Sequence, residues 1–252
     1  MCDPVISIFH PTARPYEWAK ACRRFQLLAD NPERCEYVLG IHRRQSEIPG
    51  YEGIKFTQYY QVCAALLSEM WPLNWRVSVN IGSPNVVQNT NAAGACTSGK
   101  LLIGVGDYLR PFPHWDTELL KAVPDLDKPY LLRTSHGDYL PGTWIVTYGI
   151  FTRALYEKYG YIAWPEYTHY GVDDDLTLMA DRDGLILDAT HLNFPYIHWS
   201  NGLRSPDLID KLKQDSGAWK IKEEVLKRRK ASNFSGKVVL GCVAVSESVA
   251  GE

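Results

Sequence analysis

Three consecutive carboxylates, Asp173, Asp174 and Asp175, open the segment VDDDLTLMADR. Like charges this close repel one another, which favours a cation, a nearby donor or a raised pKa. Successive helical residues point about 100° apart, so the three cannot all serve one ligand. The expectation is that one faces a cleft, one caps the helix and one favours its positive end. A plain solvated acidic helix start competes with that reading, but Tyr167, His169 and Tyr170 lead straight into the carboxylates and weaken it. Asp107 is the second group of interest, because it follows the apolar run LLIGVG. Open α/β sheets bind ligands beyond the carboxyl ends of their strands, and a carboxylate there can hold a divalent cation that bridges a diphosphate. The alternative is an Asp that starts a turn before Pro111. His198, in FPYIHWSNG, can complete a metal site or take a proton, or it can be a packed histidine between Ile197 and Trp199. His136, His169 and His191 are weaker candidates of the same kind. The basic run Lys227, Arg228, Arg229, Lys230 complements a helix end, with phosphate binding as the lesser alternative.

The elements that would position these groups alternate. Strand patterns occur at 4–10, 35–42, 75–81 and 100–105, separated by helical periodicity over 15–29, 56–70 and 88–98. The last of these is rich in small residues, and Gly99 is expected to end it. This order predicts a largely parallel sheet with helices on its faces. The second half is less regular, with a helix expected at 114–121, strands at 130–135 and 143–150, helices at 151–159 and 174–182, and a strand at 185–190. A long helix is expected over 206–230, with an ambiguous tail after Phe234. The simplest division is a catalytic domain over 1–205 and a C-terminal helical extension with its tail over 206–252.

Composition narrows the partners. The 27 basic and 29 acidic residues leave a net charge of −2, so no global basic field argues for nucleic acid. Eight Trp and fifteen Tyr supply possible stacking surfaces. The six cysteines form no C-x-x-C pair and suggest reduced, mostly buried thiols and a cytoplasmic compartment. No signal-like segment and no run of 18 apolar residues is present, so no transmembrane anchor is expected.

In order and spacing these segments resemble glycosyltransferase family 2 and its relatives with the A-type fold. The resemblance runs over about residues 4–200. ISIFHPTARP is similar to the family's opening strand, which ends in Pro-Thr and an Arg. NTNAAGACTSGKLLIGVGDYLRP is similar to its small-residue run, apolar strand and acidic metal motif before a Pro. YGVDDDLTLMADRDG is similar to its catalytic acidic segment, and His198 falls where a His often completes the metal site. Two features depart from the family. Gly104 and Gly106 precede a single Asp where two or three acidic residues are usual, and no Asp follows the second strand, where Arg43, Arg44 or Glu47 would have to replace it.

The resemblance implies a single nucleotide-binding α/β domain with a mostly parallel, mixed central sheet flanked by helices. It further implies an inverting, metal-dependent transfer from a nucleotide sugar, a UDP-sugar favoured, to an acceptor hydroxyl. Pro11, Thr12 and Arg14 would line the nucleotide pocket and Asn91 and Gly99 would shape its floor. Asp107 and His198 would hold Mn2+ or Mg2+. Asp173 would be the catalytic base, with Asp174 its rival. Trp144, Trp164 and Trp199 are candidates for stacking on the acceptor. The acceptor could be a saccharide, a protein, a small metabolite or a modified DNA base. A non-catalytic nucleotide-sugar or carbohydrate-binding protein on the same fold is the alternative. A sugar-phosphate nucleotidyltransferase is weaker, because no glycine-rich basic loop follows the first strand.

Overall fold

The computed structural model describes residues 3–236 except 13, 15, 45–51, 72–73, 83–84, 138–143, 148, 198–201, 208 and 212–216. Its centre is a seven-stranded sheet. In chain order the strands are β1 (Ile6–Pro11), β2 (Cys35–His42), β3 (Trp75–Asn80), β4 (Leu101–Gly104), β5 (Leu131–Ser135), β6 (Ile150–Thr152) and β7 (Ile186–Asn193). Their spatial order is β3-β2-β1-β4-β6-β5-β7. β1 lies parallel to both β2 and β4, and β2 is parallel to β3. β6 is antiparallel to both β4 and β5, and β5 is parallel to β7. The mixed, mostly parallel sheet therefore matches the architecture expected from the alternating pattern.

The helices are α1 (Glu17–Leu28), α2 (Phe56–Met70), α3 (Val86–Ala95), α4 (Trp115–Ala122), α5 (Arg153–Tyr159), α6 (Val172–Arg182) and α7 (Ala218–Ala231). Period-two alternation divides the core. Ile6, Ile8, Tyr37, Leu39, Leu101 and Ile103 face one cluster, joined by Trp18 and Phe25 of α1, Leu67 of α2 and Trp115 of α4. Phe9, Val38 and Leu102 face the other, with Ala93 of α3, Leu155 of α5 and Leu176 and Met179 of α6. The small residues of α3 permit close approach. A Cβ on Gly94 would lie 1.8 Å from Ile162 Cδ1, and one on Gly40 would lie 3.0 Å from the Ala93 Cβ. Overpacking of this kind typically costs about 1–3 kcal/mol.

Three expected elements are corrected. α3 ends at Ala95 rather than at Gly99. Gly99 instead enters β4, where a Cβ would stand 2.6 Å from Ser7 Oγ and its amide donates to that oxygen at 2.7 Å. Of the strand expected over 143–150 only Ile150 falls in β6 (Ile150–Thr152), and positions 143 and 148 lie outside the described residues. The long helix over 206–230 is broken: residues 209–211 are helical, and α7 begins after Gly217, whose φ of 68° is left-handed. Residues of the expected C-terminal extension bond the rest of the chain, Asp207 and Asp210 to Arg14 and Arg229 to Asp175. Cys22, Cys35 and Cys63 are buried free thiols, whereas Cys96 is disulfide-bonded, so reduced thiols are not general. Among the described residues no helix is long and apolar enough to cross a membrane.

Candidate active site

β1 and β4 run side by side in one direction, so the residues after them, Thr12 and Asp107, emerge at the same sheet edge. Val105 continues the pairing, its amide donating to Phe9 O at 3.0 Å. Asp107 is 6% exposed, and both of its oxygens are engaged by the protein. Oδ1 accepts from His10 Nε2 at 3.0 Å and from Thr12 Oγ1 at 2.9 Å, and Oδ2 accepts from Arg14 Nη1 at 3.1 Å. His10 can donate from Nε2 because the Tyr37 hydroxyl occupies Nδ1. Burial holds that phenol well above its ordinary value, so it keeps the proton it donates. Burial also works against a charged Asp107, but the bonds from His10, Arg14 and Thr12 outweigh it and keep the carboxyl below the usual range.

The network extends outward from Arg14. Its Nε donates to Asp207 at 2.6 Å and its Nη2 to Asp210 at 3.0 Å. Asp210 also accepts from Arg204 Nη1 at 2.6 Å. Asp207 and Asp210 exchange amide-to-carboxylate bonds of 3.0 and 2.9 Å, a reciprocal capping arrangement. Both guanidinium groups lie against Tyr108, with their carbons 5.0 Å (Arg14) and 4.1 Å (Arg204) from its ring centre.

The acidic start of α6 departs from the expected division of labour. Gly171, at φ 96°, occupies the N-cap, and no side chain caps the helix. Asp175 is buried and paired with Arg229 at 2.9 Å. Asp174 pairs with Lys222 at 2.9 Å. Asp173 is half-buried, and its carboxylate has no hydrogen bond or ion pair among the described residues. Burial first, then the charge of Asp174, holds its carboxyl well above the ordinary value despite Lys222. Tyr170 lies three residues before Asp173 in the chain. Burial raises its phenol, and the charge of Asp210 adds to that effect.

The remaining predicted residues separate. Pro11 ends β1 beside Gly40, next to Thr12. Asn91 is buried, accepting from the amides of Ile162 and Ala163 and donating to Ala163 O at 2.7 Å, so its polar atoms brace a loop. Gly99 lies at the amino end of β4, one strand length from Asp107, so the geometry does not bring it into a pocket with Pro11 and Thr12. Trp164 carries the Arg229 guanidinium 3.9 Å from its ring, which occupies that face. Trp144 is 45% exposed, and two residues later the Val146 amide bonds Thr177 on the first turns of α6. His198 and Trp199 lie outside the described residues, as does Glu47. The Ile197 amide donates to Tyr108 O at 3.2 Å, so the chain up to residue 197 runs beside Asp107. His136 bonds Phe194 O and His191 is exposed. Within the basic run Arg229 is buried and Arg228 pairs with Glu166, so it is not a uniformly solvated helix end.

The sequence reading missed three features. His10 was visible as a polar residue closing an apolar strand. Arg204, Asp207 and Asp210 stand at spacings of three, a recurrence that marks one face of a turn. Trp219 opens α7, 54% exposed, stacked on Tyr170 at 4.6 Å and 12°.

No protein-family model and no curated protein sequence matches this chain. Solved structures do. TarS residues 1–349 of S. aureus is 15% identical, with a TM-score of 0.57 over 90% of this chain and 72% of that one. Glucosyl-3-phosphoglycerate synthase from Mycobacterium tuberculosis, in complex with Mn2+, uridine diphosphate and phosphoglyceric acid, is 12% identical, with a TM-score of 0.54 over 89% and 78%. The mannosyltransferase PcManGT from Pyrobaculum calidifontis, in complex with GDP-Man and Mn2+, is 11% identical, with a TM-score of 0.53 over 94% and 77%. These likenesses establish the A-type glycosyltransferase fold.

Two of these neighbours hold Mn2+, but the described residues here fit such an ion poorly. Among them no group of three or more His, Cys, Asp and Glu could hold a metal. Asp107 has spent both oxygens on the protein, and Arg14 stands where a cation would approach. A doubly charged ion about 4 Å from a guanidinium would meet roughly 8 kcal/mol of repulsion at an effective dielectric of 20. An acidic side chain at position 104 would crowd the core as well, because a Cβ there would lie 2.9 Å from the tip of the Phe9 ring.

Proposed function

We propose that this chain transfers a glycosyl group from a nucleoside-diphosphate sugar, a UDP-sugar favoured, to an acceptor hydroxyl with inversion at the anomeric carbon. The observation that carries the reading is the bonded path from Asp107 through Arg14 to Asp210 at the carboxyl ends of β1 and β4, together with the unpartnered Asp173 carboxylate in the first turn of α6. One acidic group thus anchors the strand edge where ligands of open sheets bind. The other is an unpaired carboxylate poised for proton transfer. The likeness to enzymes crystallised with UDP, UDP-GlcNAc and GDP-Man supports the donor class.

Asp173 takes the proton of the acceptor hydroxyl as that oxygen attacks. The new bond forms at the anomeric carbon, the bond to the β-phosphate oxygen breaks, and its electron pair leaves with the nucleoside diphosphate. Direct displacement with one base inverts the centre, by analogy with inverting carboxylate chemistry. Thr12 and Arg14 line the donor side, and Trp144 and the exposed Trp219 line the acceptor side. Trp199 joins them as a proposal from the sequence resemblance. A Mn2+ or Mg2+ ion held by Asp107 and His198 is what the sequence resemblance implies, and no step runs through one, because both Asp107 oxygens already accept bonds from the protein.

Melting curves with UDP-glucose, UDP-GlcNAc and GDP-mannose test the donor class, since a ligand of the folded state raises the melting temperature. A rise with one of them, followed by donor turnover, supports transfer. Binding with no turnover toward any acceptor class returns the non-catalytic reading, which the fully engaged Asp107 favours. No rise with any of the three sinks the proposal.

A further inference from the structure

We infer that the positive charge for diphosphate departure comes from Arg204 rather than from a divalent cation; this rests on the transfer reading above. Asp107, the carboxylate in the place of the metal motif, has both oxygens committed to His10, Thr12 and Arg14. Position 104, which precedes it in that motif, is a glycine where a Cβ would stand 2.9 Å from the tip of the Phe9 ring. The same strand edge instead presents an arginine with a spare donor. Arg204 is 13% exposed in its side chain. Its Nε donates to Ile197 O at 3.3 Å and its Nη1 to Ser205 O at 2.9 Å and Asp210 at 2.6 Å. Its Nη2 is shielded from solvent and makes no hydrogen bond. A buried donor left without a partner is uncommon and calls for an explanation, and a guanidinium N–H pair matches the geometry of phosphate oxygens.

The surroundings hold that group still. Asp210 grips Nη1 and is itself locked by its exchange with Asp207. Tyr108 lies 4.1 Å beneath the guanidinium carbon. Asp210 also binds Arg14, which binds Asp107, so Arg204 belongs to the network at the carboxyl ends of β1 and β4. A fixed cation aimed at developing charge needs no reorganisation during the reaction. As the bond from the anomeric carbon to the β-phosphate oxygen breaks, the electron pair passes to that oxygen, and Nη2 donates to it. The acceptor proton goes to Asp173. Arg204 is then a catalytic residue, and Asp210 and Tyr108 are positioning residues.

The test is steady-state transfer by the full chain, using whichever of UDP-glucose, UDP-GlcNAc and GDP-mannose it turns over, in excess EDTA and in MnCl2. The expected result is turnover in EDTA that Mn2+ does not raise. Arg204→Ala in EDTA lowers kcat about a hundredfold with donor KM little changed, and Mn2+ does not rescue it. Should Arg204→Ala not fold, Arg204→Lys carries the test. It keeps a cation against Tyr108 but lacks the Nη2 pair, and its kcat falls about tenfold. Loss of turnover in EDTA that Mn2+ restores overturns the inference and leaves the transfer reading standing. Unchanged kcat in a folded Arg204 variant also overturns it. No turnover of any donor in either buffer, together with no UDP-induced rise in melting temperature, removes the transfer reading and this inference with it.

Discussion

Asp107 and Asp173 are the same residue type in one protein, and their surroundings drive them in opposite directions. Asp107 is almost fully buried yet stays charged, because His10, Thr12 and Arg14 are directed at its two oxygens. Asp173 is more exposed yet holds its proton more tightly, because burial and the adjacent Asp174 act on a carboxylate with no bonded partner among the described residues. Burial alone therefore does not decide the charge of a carboxyl; the supply of donors does. Environments that push paired acids apart separate structural from proton-transferring roles. Here Asp107 organises the strand edge, and Asp173 is left available for chemistry.

The contrast can be broken most sharply at Asp173. Asp173→Asn is expected to lower kcat about a thousandfold while donor binding, read by the melting shift, stays intact. The variant should also melt higher than the parent, since a neutral amide removes the cost of a buried charge. A lower melting temperature would contradict the account of Asp173. At Asp107 the expectation reverses. Asp107→Asn removes a bonded charge opposite Arg14 and costs about 3 kcal/mol of stability by urea titration.

The pH dependence follows with the sign worked out for each group. Asp107 and Asp207 have folded values below the unfolded one of about 3.9. Their contribution is complete above that value and is lost as pH falls through the folded values, so urea midpoints drop on the acid side. Asp173, raised on folding, does the opposite: its contribution is complete below about 3.9 and is lost as pH rises through its folded value. Its base form is also what turnover needs, so kcat rises over that same interval, and Asp173→Asn abolishes both slopes. The smallest effect is at the acceptor side, where Trp219→Ala should raise acceptor KM about fivefold, near 1 kcal/mol of stacking, with kcat unchanged. Trp164→Ala should instead lower stability, because its ring serves Arg229.

The parallel half of the fold was legible because its apolar residues repeat cleanly. β2 and α2 fall on the residues their periodicity predicts, 35–42 and 56–70. The second half was less so, for local reasons. α6 starts two residues before its expected start because Gly171 supplies a left-handed N-cap with no side-chain signature. The helix expected over 206–230 does not run through Gly217, whose φ is positive. Within the site, Thr12, Arg14 and Asp107 could be placed together from strand direction and family resemblance. Gly99 could not, since a glycine that ends a helix and one that packs against a strand look alike in one dimension. The spacing of Arg204 and Asp210 was readable, but the role of Arg204 was not, because Tyr108 reaches it from almost a hundred positions earlier in the chain.

Arg229 carries a consequence for how the protein comes into being. It is the cation for the buried Asp175 on α6, and it arrives from α7, fifty-four positions later in the chain. While the ribosome has yet to release that arginine, the acidic helix would have to bury an uncompensated charge. Burial already raises the Asp175 carboxyl, so before residue 229 is made α6 is expected to dock either with Asp175 protonated or more weakly. A chain cut before α7 is expected to hold α6 and Asp173 less firmly than the intact protein, because the Arg229–Asp175 pair is missing.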